Sequence, residues 1–170
     1  MKYLFVDDMP NYVSIHRKAL GKAGHVVVSA RDLDFAWDLI EKESLTGSPF
    51  DMVLIDLGMD RKDPAFEQED RELRGILQSR GYGDLPISGQ SLGLRLWRKR
   101  KTLWQRYCYI TNHSILWVDN ADGQDPEFGG KLWETVDNIL LLDKSDLWLG
   151  NIEKKLQVVG KIWENEGWLN

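Results

Sequence analysis

The sequence predicts an α/β fold: a doubly wound, five-stranded parallel sheet with flanking helices. Three observations lead there. Short, continuous apolar runs recur along the chain, as strands buried on both faces of a parallel sheet require. Met52-Val53-Leu54-Ile55 is the clearest of them. Helical-period patterns separate these runs, giving the order β-α-β-α-β up to Asp56. Most of the runs also end in a polar or charged residue, at the strand edge where open α/β sheets bind their ligands.

Lys2-Tyr3-Leu4-Phe5-Val6 is the first strand and runs straight into Asp7-Asp8. Met9-Pro10-Asn11 opens a helix, since proline is tolerated in a first turn. Val13, His16, Leu20 and Ala23 give that helix an apolar face, and Gly24 stops it. His16 on this face reads as a packed residue, not a ligand or base. His25-Val26-Val27-Val28-Ser29 is a β-branched strand. Asp32 then caps a helix whose inward face is Leu33, Ala36, Trp37 and Ile40. Gly47-Ser48-Pro49 turns the chain into the strand that ends at Asp56.

Residues 60–88 break this rhythm with prolines, glycines and charges of both signs. The stretch is longer than an ordinary βα loop, so it reads as an insertion, with a short amphipathic helix carrying Phe66, Leu73, Ile76 and Leu77. Helix returns over 89–103, with Leu92, Leu96 and Trp97 inward and Arg98-Lys99-Arg100-Lys101 as a solvated helix end. Tyr107-Cys108-Tyr109-Ile110 is the fourth strand, ending at Thr111; His113, two residues on, reads by default as a solvated loop histidine, with a place at the same edge as the alternative. Residues 116–130 read as a second insertion. Asp119, Asp122 and Asp125 within it lack the spacing of a Ca²⁺ loop. A short helix over 131–136 and a fifth strand over 139–142 follow. That strand leads into Asp143-Lys144-Ser145. A final helix over 149–166 buries Ile152, Leu156, Val159 and Trp163.

The 170 residues suit one domain spanning 1–170. No apolar stretch approaches the roughly 20 residues of a membrane span, and no signal peptide is expected. The single cysteine, Cys108, excludes an internal disulfide and fits a cytoplasmic protein. It reads as a small buried hydrophobe. A net charge of −5 argues against nucleic acid as a partner, despite the basic run at 98–101.

The chemistry concentrates on the strand ends. Asp7, Asp8 and Asp56 would share one edge, and close carboxylates each favour a proton or a cation. A hard divalent ion with oxygen ligands, Mg²⁺, suits them. Taken singly, each aspartate has a blander reading as the cap of the following helix.

Strands one, three, four and five thus end in Asp7-Asp8, Asp56, Thr111 and Lys144. This ordered set resembles the receiver domain of response regulators in two-component signalling, a flavodoxin-like fold. Leu57-x-Met59 after the central aspartate, and Gly89 opening the helix after the insertion, strengthen the resemblance. It implies that Asp56 is the phosphoacceptor. It also implies that Asp7, Asp8, Asp56 and the backbone carbonyl of Gly58 hold Mg²⁺. Thr111 would bond a phosphoryl oxygen, and Lys144 would pair with Asp56 and then with the phosphoryl group. A stand-alone receiver is expected, phosphorylated by a sensor histidine kinase or a histidine phosphotransfer protein docking near the first helix. It would signal by contact with a downstream protein or by homodimerisation, catalysing its own phosphorylation and dephosphorylation without turning over an external substrate.

Four departures stand out. Asn112 follows the threonine where a small residue is usual, and Leu141 replaces the aromatic of the fifth strand. Ser145 replaces the proline after the lysine, and Asp60 replaces a common loop proline. They keep an alternative in view: an interaction module of the same fold that works without phosphorylation. A metal-dependent phosphohydrolase is a third reading, weakened because no further acid is placed as a general base.

Overall fold

A computed structural model describes residues 1–59, 64–79, 81, 89–113, 116–118 and 140–170. The strands are β1 (Lys2–Val6), β2 (Val26–Ala30), β3 (Met52–Ile55), β4 (Tyr107–Thr111) and β5 (Leu141–Asp143). The helices are α1 (Ser14–Lys22), α2 (Leu33–Leu45), α3 (Glu67–Ser79), α4 (Gln90–Arg98), α5 (Arg100–Leu103) and α6 (Ile152–Asn165). The strands form one parallel sheet in the order β2-β1-β3-β4-β5. Strand order reverses between β1 and β3, so a crevice opens outside their carboxyl ends.

The doubly wound fold expected from the sequence is therefore present. The apolar runs place Tyr3 to Val6, Met52 to Ile55 and Tyr107 to Ile110 in the core, fully or almost fully buried. Asp32 caps α2, accepting from the Phe35 N–H at 2.8 Å. Gly24 ends α1 with φ +85°, a left-handed conformation that favours glycine. Three tryptophans knit the far end of the fold: Trp97, Trp163 and Trp168 meet edge to face, with ring centroids 4.9–6.0 Å apart.

Some boundaries differ from the sequence reading. The first turn after Asp8 is not helical, and α1 starts at Ser14, with Ala19 rather than Ala23 facing inward. The helix expected over 89–103 breaks at Lys99. There Arg100 turns back, donating to the Trp97 and Trp168 carbonyls and stacking 3.9 Å from the Trp97 ring. Part of the basic run is thus structural, not merely solvated. The amphipathic helix expected within 60–88 is α3, which buries Leu73 and Leu77, with Phe66 buried in the turn before it. The short helix expected over 131–136 and the aspartates at 119, 122 and 125 lie outside the described residues, as does most of 116–130. No helix among the described residues is long and apolar enough to cross a membrane.

Candidate functional site

Strand register assembles the acidic edge. Val6 pairs with Ile55, so Asp7 and Asp56 leave neighbouring strands side by side. Their backbones remain tied to the sheet: Asp7 N–H donates to Ala30, and Asp56 N–H to Val6. Asp8 joins them, and carboxylate oxygens of Asp7, Asp8 and Asp56 lie within 4.8 Å of one another. Asp7 and Asp56 are buried, at 1% and 6% exposure, and Asp8 is partly exposed. Such burial is costly for charge and needs compensation.

Lys144 supplies it. This lysine follows β5 directly, in the short turn Lys144–Asp146. Its Nζ donates to Asp7 Oδ2 at 2.9 Å and to Asp56 Oδ2 at 2.6 Å. Burial alone would lower the Lys144 pKa, but the charges and hydrogen bonds of Asp56 and Asp7 hold it above its ordinary value. For Asp7 the balance goes the other way. Burial raises its pKa, Lys144 pulls it back, Asp56 adds to the rise, and the carboxyl ends above the ordinary range. One ammonium therefore does not neutralise the cluster.

The donor set fits a hard cation. Asp7 and Asp56 each give Lys144 one oxygen. The second oxygen of Asp7 accepts from Met9 N–H at 2.8 Å. That of Asp56 has, among the described residues, only a long 3.4 Å approach from the Gly58 N–H. Two buried carboxylates sharing one ammonium leave charge that a divalent ion could balance. Gly58, whose carbonyl the sequence reading assigned to the same ion, follows two residues after Asp56.

The surroundings are built closely against this edge. A Cβ on Gly89 would lie 1.8 Å from the Asp56 carbonyl oxygen, so only glycine lets α4 start there. Gly89 N–H in turn donates to the Leu57 carbonyl at 3.0 Å. Thr111 closes β4, buried. Ile55 pairs with Tyr109, so Thr111 stands two positions further on, level with Leu57. Its Oγ1 accepts from the His113 N–H at 2.9 Å. His113 reaches the rim of the site, where a Cβ on Gly58 would come 3.3 Å from its ring. Asn112 is exposed at the same rim.

Cys108 is fully buried and its thiol pKa is pushed up by that burial, as expected of an inert core residue. Leu141, in the place of the family's aromatic, pairs with Tyr109 on β4. Tyr109 is itself buried, between Tyr107 and Trp117, with its hydroxyl in the space that a Gly93 side chain would fill.

His16, which the sequence reading took as a packed residue, and Gln90, which it passed over, both bear on the site. His16 is buried with its Nε2 against the backbone of the Lys144 turn. Gln90 exchanges two hydrogen bonds with Val118, donating from Nε2 at 2.7 Å and accepting at Oε1 at 3.0 Å. This fixes the strand-four loop to the start of α4. The only sequence signal for His16 was a polar ring on an otherwise apolar helix face. Gln90 gave none.

No protein-family model matches the chain, and no curated protein matches it in sequence. Solved structures match it in fold. The response regulator receiver domain protein (CheY-like) from Methanospirillum hungatei aligns with a TM-score of 0.54 and 15% identity, covering 98% of each chain. The chain has the receiver-domain fold. The N-terminal domain of a response regulator/sensory box/GGDEF three-domain protein from Carboxydothermus hydrogenoformans aligns with a TM-score of 0.51 and 13% identity. That match covers 98% of this chain and 99% of the other. The receiver fold places the acidic edge at its switch point, which is where Asp7, Asp8, Asp56 and Lys144 converge.

Proposed function

We propose that this receiver-fold protein is a cytoplasmic phosphoacceptor switch. It takes a phosphoryl group on Asp56 from a phosphohistidine donor, a histidine kinase or phosphotransfer protein, and passes the signal on by protein contact. One observation carries the reading: Asp56 is a buried carboxylate with one oxygen held by Lys144 and the other, among the described residues, met only by a long backbone approach.

In the proposed step that second oxygen attacks phosphorus. The P–N bond to the donor imidazole breaks, and its electron pair leaves with the ring. The product is an acyl phosphate on Asp56, which water can later cleave. Asp7, Asp8, Asp56 and the Gly58 carbonyl would hold Mg²⁺, which supplies charge neutralisation for the equatorial phosphoryl oxygens. Lys144 is already in place and needs only to shift one hydrogen bond from the carboxylate to a phosphoryl oxygen. The Thr111 hydroxyl would turn from the His113 amide toward the same group. Transfer adds about one negative charge at Asp56 and brings three phosphoryl oxygens as acceptors, which is enough to redirect both side chains.

Leu141 favours a second reading at the level of output. Without an aromatic on β5, the family's usual threonine-to-aromatic coupling has no partner there. A module that binds its target independently of phosphorylation would keep its partner in Asp56→Asn. The phosphoacceptor switch would lose the phosphate-dependent part of that binding.

The test is intact mass after incubation with acetyl phosphate, with and without Mg²⁺. A gain of one phosphoryl group that needs Mg²⁺ and disappears in Asp56→Asn is the expected result. A gain that survives in Asp56→Asn would exclude Asp56 as the acceptor.

A further inference from the structure

We propose that His16 is a positioning residue for Lys144, and so sets the rate of phosphoryl transfer to Asp56. The proposal rests on the phosphoacceptor reading above.

The geometry begins with a weak anchor. Lys144 must place its ammonium between two carboxylates, on a side chain with four rotatable bonds. Its own element offers little support. β5 has three residues and, among the described residues, lies at the sheet edge and pairs only with β4. The turn that carries Lys144 is a single three-residue helical turn. Such turns have poor hydrogen-bond geometry and rarely extend further. Its local bonds run from Ser145 to Asp143 Oδ1 and from Asn151 to the Asp146 carbonyl, all exposed, with a 3.2 Å bond from the Leu147 N–H to the Lys144 carbonyl.

His16 adds an anchor from outside the turn. Its Nε2 lies 3.2 Å from the Lys144 carbonyl and 2.9 Å from the Leu147 carbonyl. Carbonyl oxygens only accept, so Nε2 carries the proton and donates to both ends of the turn. The bond spans 128 residues of sequence and joins α1 to the Lys144 turn. Helix α1 follows the Asp7-Asp8 strand end, so the clasp fixes the lysine's backbone relative to the acids that its ammonium must bridge.

Packing alone does not account for an imidazole here. His16 is 7% exposed, and its Nδ1 is buried with no hydrogen-bond partner among the described residues. An apolar ring would fill the space without stranding a buried acceptor, which is costly. What the histidine adds is the donor at Nε2.

The experiment compares wild type, His16→Phe, His16→Gln, His16→Asn, Lys144→Ala and the His16→Phe/Lys144→Ala double variant. Glutamine can offer its amide near the Nε2 position, whereas asparagine reaches only the Nδ1 position. Acetyl phosphate with Mg²⁺ gives the phosphorylation rate, calorimetric titration gives the Mg²⁺ affinity, and circular dichroism checks the fold. His16→Phe should slow phosphorylation by about tenfold to a hundredfold, as a small misplacement of a catalytic group does. Mg²⁺ affinity should stay within about twofold, because a tenfold change would need about 1.4 kcal/mol at acids the clasp does not hold. Glutamine should restore most of the rate and asparagine should not. In the Lys144→Ala background, His16→Phe should cost nothing further.

Equal rates in wild type and His16→Phe would overturn the proposal. So would a full extra loss in the double variant, or rescue by asparagine as good as by glutamine. A separate readout covers failure of the phosphoacceptor reading or misfolding of the phenylalanine variant. In nitrogen-edited NMR at low temperature, the Lys144 ammonium protons should be protected from exchange in wild type and in His16→Gln, and lost in His16→Asn. If wild type accepts no phosphoryl group but this pattern holds, the function is wrong and the positioning role stands. If the ammonium signal is the same in all variants, the positioning role is wrong.

Discussion

Two clusters in this chain join acids to bases, and they are assembled on opposite principles. At the strand ends, two buried carboxylates, Asp7 and Asp56, share the buried ammonium of Lys144, with Asp8 partly exposed beside them. Between α3 and α4, each base has its own acid. Arg95 holds Glu69 with two parallel bonds at 2.7 and 2.6 Å, and Arg98 pairs with Glu72 at 2.7 Å. Arg95 also lies 3.8 Å above the Phe66 ring. The second cluster is complete: Arg95 lowers the Glu69 pKa in spite of its partial burial. The first is unbalanced, with Asp7 raised in spite of its lysine. A balanced cluster holds elements together. A buried excess of one charge marks a place where something further binds.

The contrast can be broken most forcefully at Lys144. Lys144→Met leaves buried carboxylates unpaired and should cost about 3–5 kcal/mol in stability without metal. Much of that loss should return on adding Mg²⁺, followed as the thermal midpoint in magnesium and in chelator. Arg95→Ala should cost less, about 2 kcal/mol from its paired bonds and ring contact, and Mg²⁺ should restore none of it. Arg98→Ala removes a pair about one-third exposed on each side and should cost under about 1 kcal/mol. If Mg²⁺ rescued Arg95→Ala as well as Lys144→Met, the distinction between the clusters would fail.

The smallest effect has the opposite sign. Asp7 has a raised pKa in the folded protein, so its ionisation costs more there than in the unfolded chain. Stability from this group is present at low pH and falls as pH rises through the folded value. Asp7→Asn removes that cost, so at neutral pH and without metal the thermal midpoint should rise by a few degrees, at about 2–4 °C per kcal/mol. Stabilisation by Mg²⁺ should disappear in the same variant. Lys144 adds a separate alkaline signature. Its pKa is raised, so its contribution is complete below the ordinary 10.5 and is lost as pH rises through the higher folded value. A denaturant titration at neutral pH and at strongly alkaline pH should show that loss in wild type and not in Lys144→Met.

How legible each feature was follows from its range in the chain. The strands were legible because burial on both faces leaves continuous apolar runs such as Met52–Ile55. The convergence of Asp7, Asp8, Asp56 and Lys144 was legible because each stands directly after a strand, and a parallel sheet gathers its carboxyl ends on one edge. The His16 clasp was illegible because its partners are backbone carbonyls 128 and 131 residues away, which leave no mark on side-chain pattern. The Arg95–Glu69 pair was hidden for a related reason. Its partners stand 26 residues apart on two helices, and neither helix's own pattern shows which charge the other will meet. Helix ends, such as the break at Lys99, depended on Arg100 finding the Trp168 carbonyl, a contact no local pattern encodes.

The most direct measurement of the central claim locates the phosphoryl group itself. Protein treated with acetyl phosphate and Mg²⁺ is reduced with borohydride, which converts an acyl phosphate to an alcohol, and the modified position is read by peptide mass spectrometry. The phosphoacceptor chemistry predicts homoserine at position 56, absent in chelator and absent when the donor is withheld. Reduction at Asp7 or Asp8 instead, or none at position 56 while intact mass shows a phosphoryl group, would contradict it.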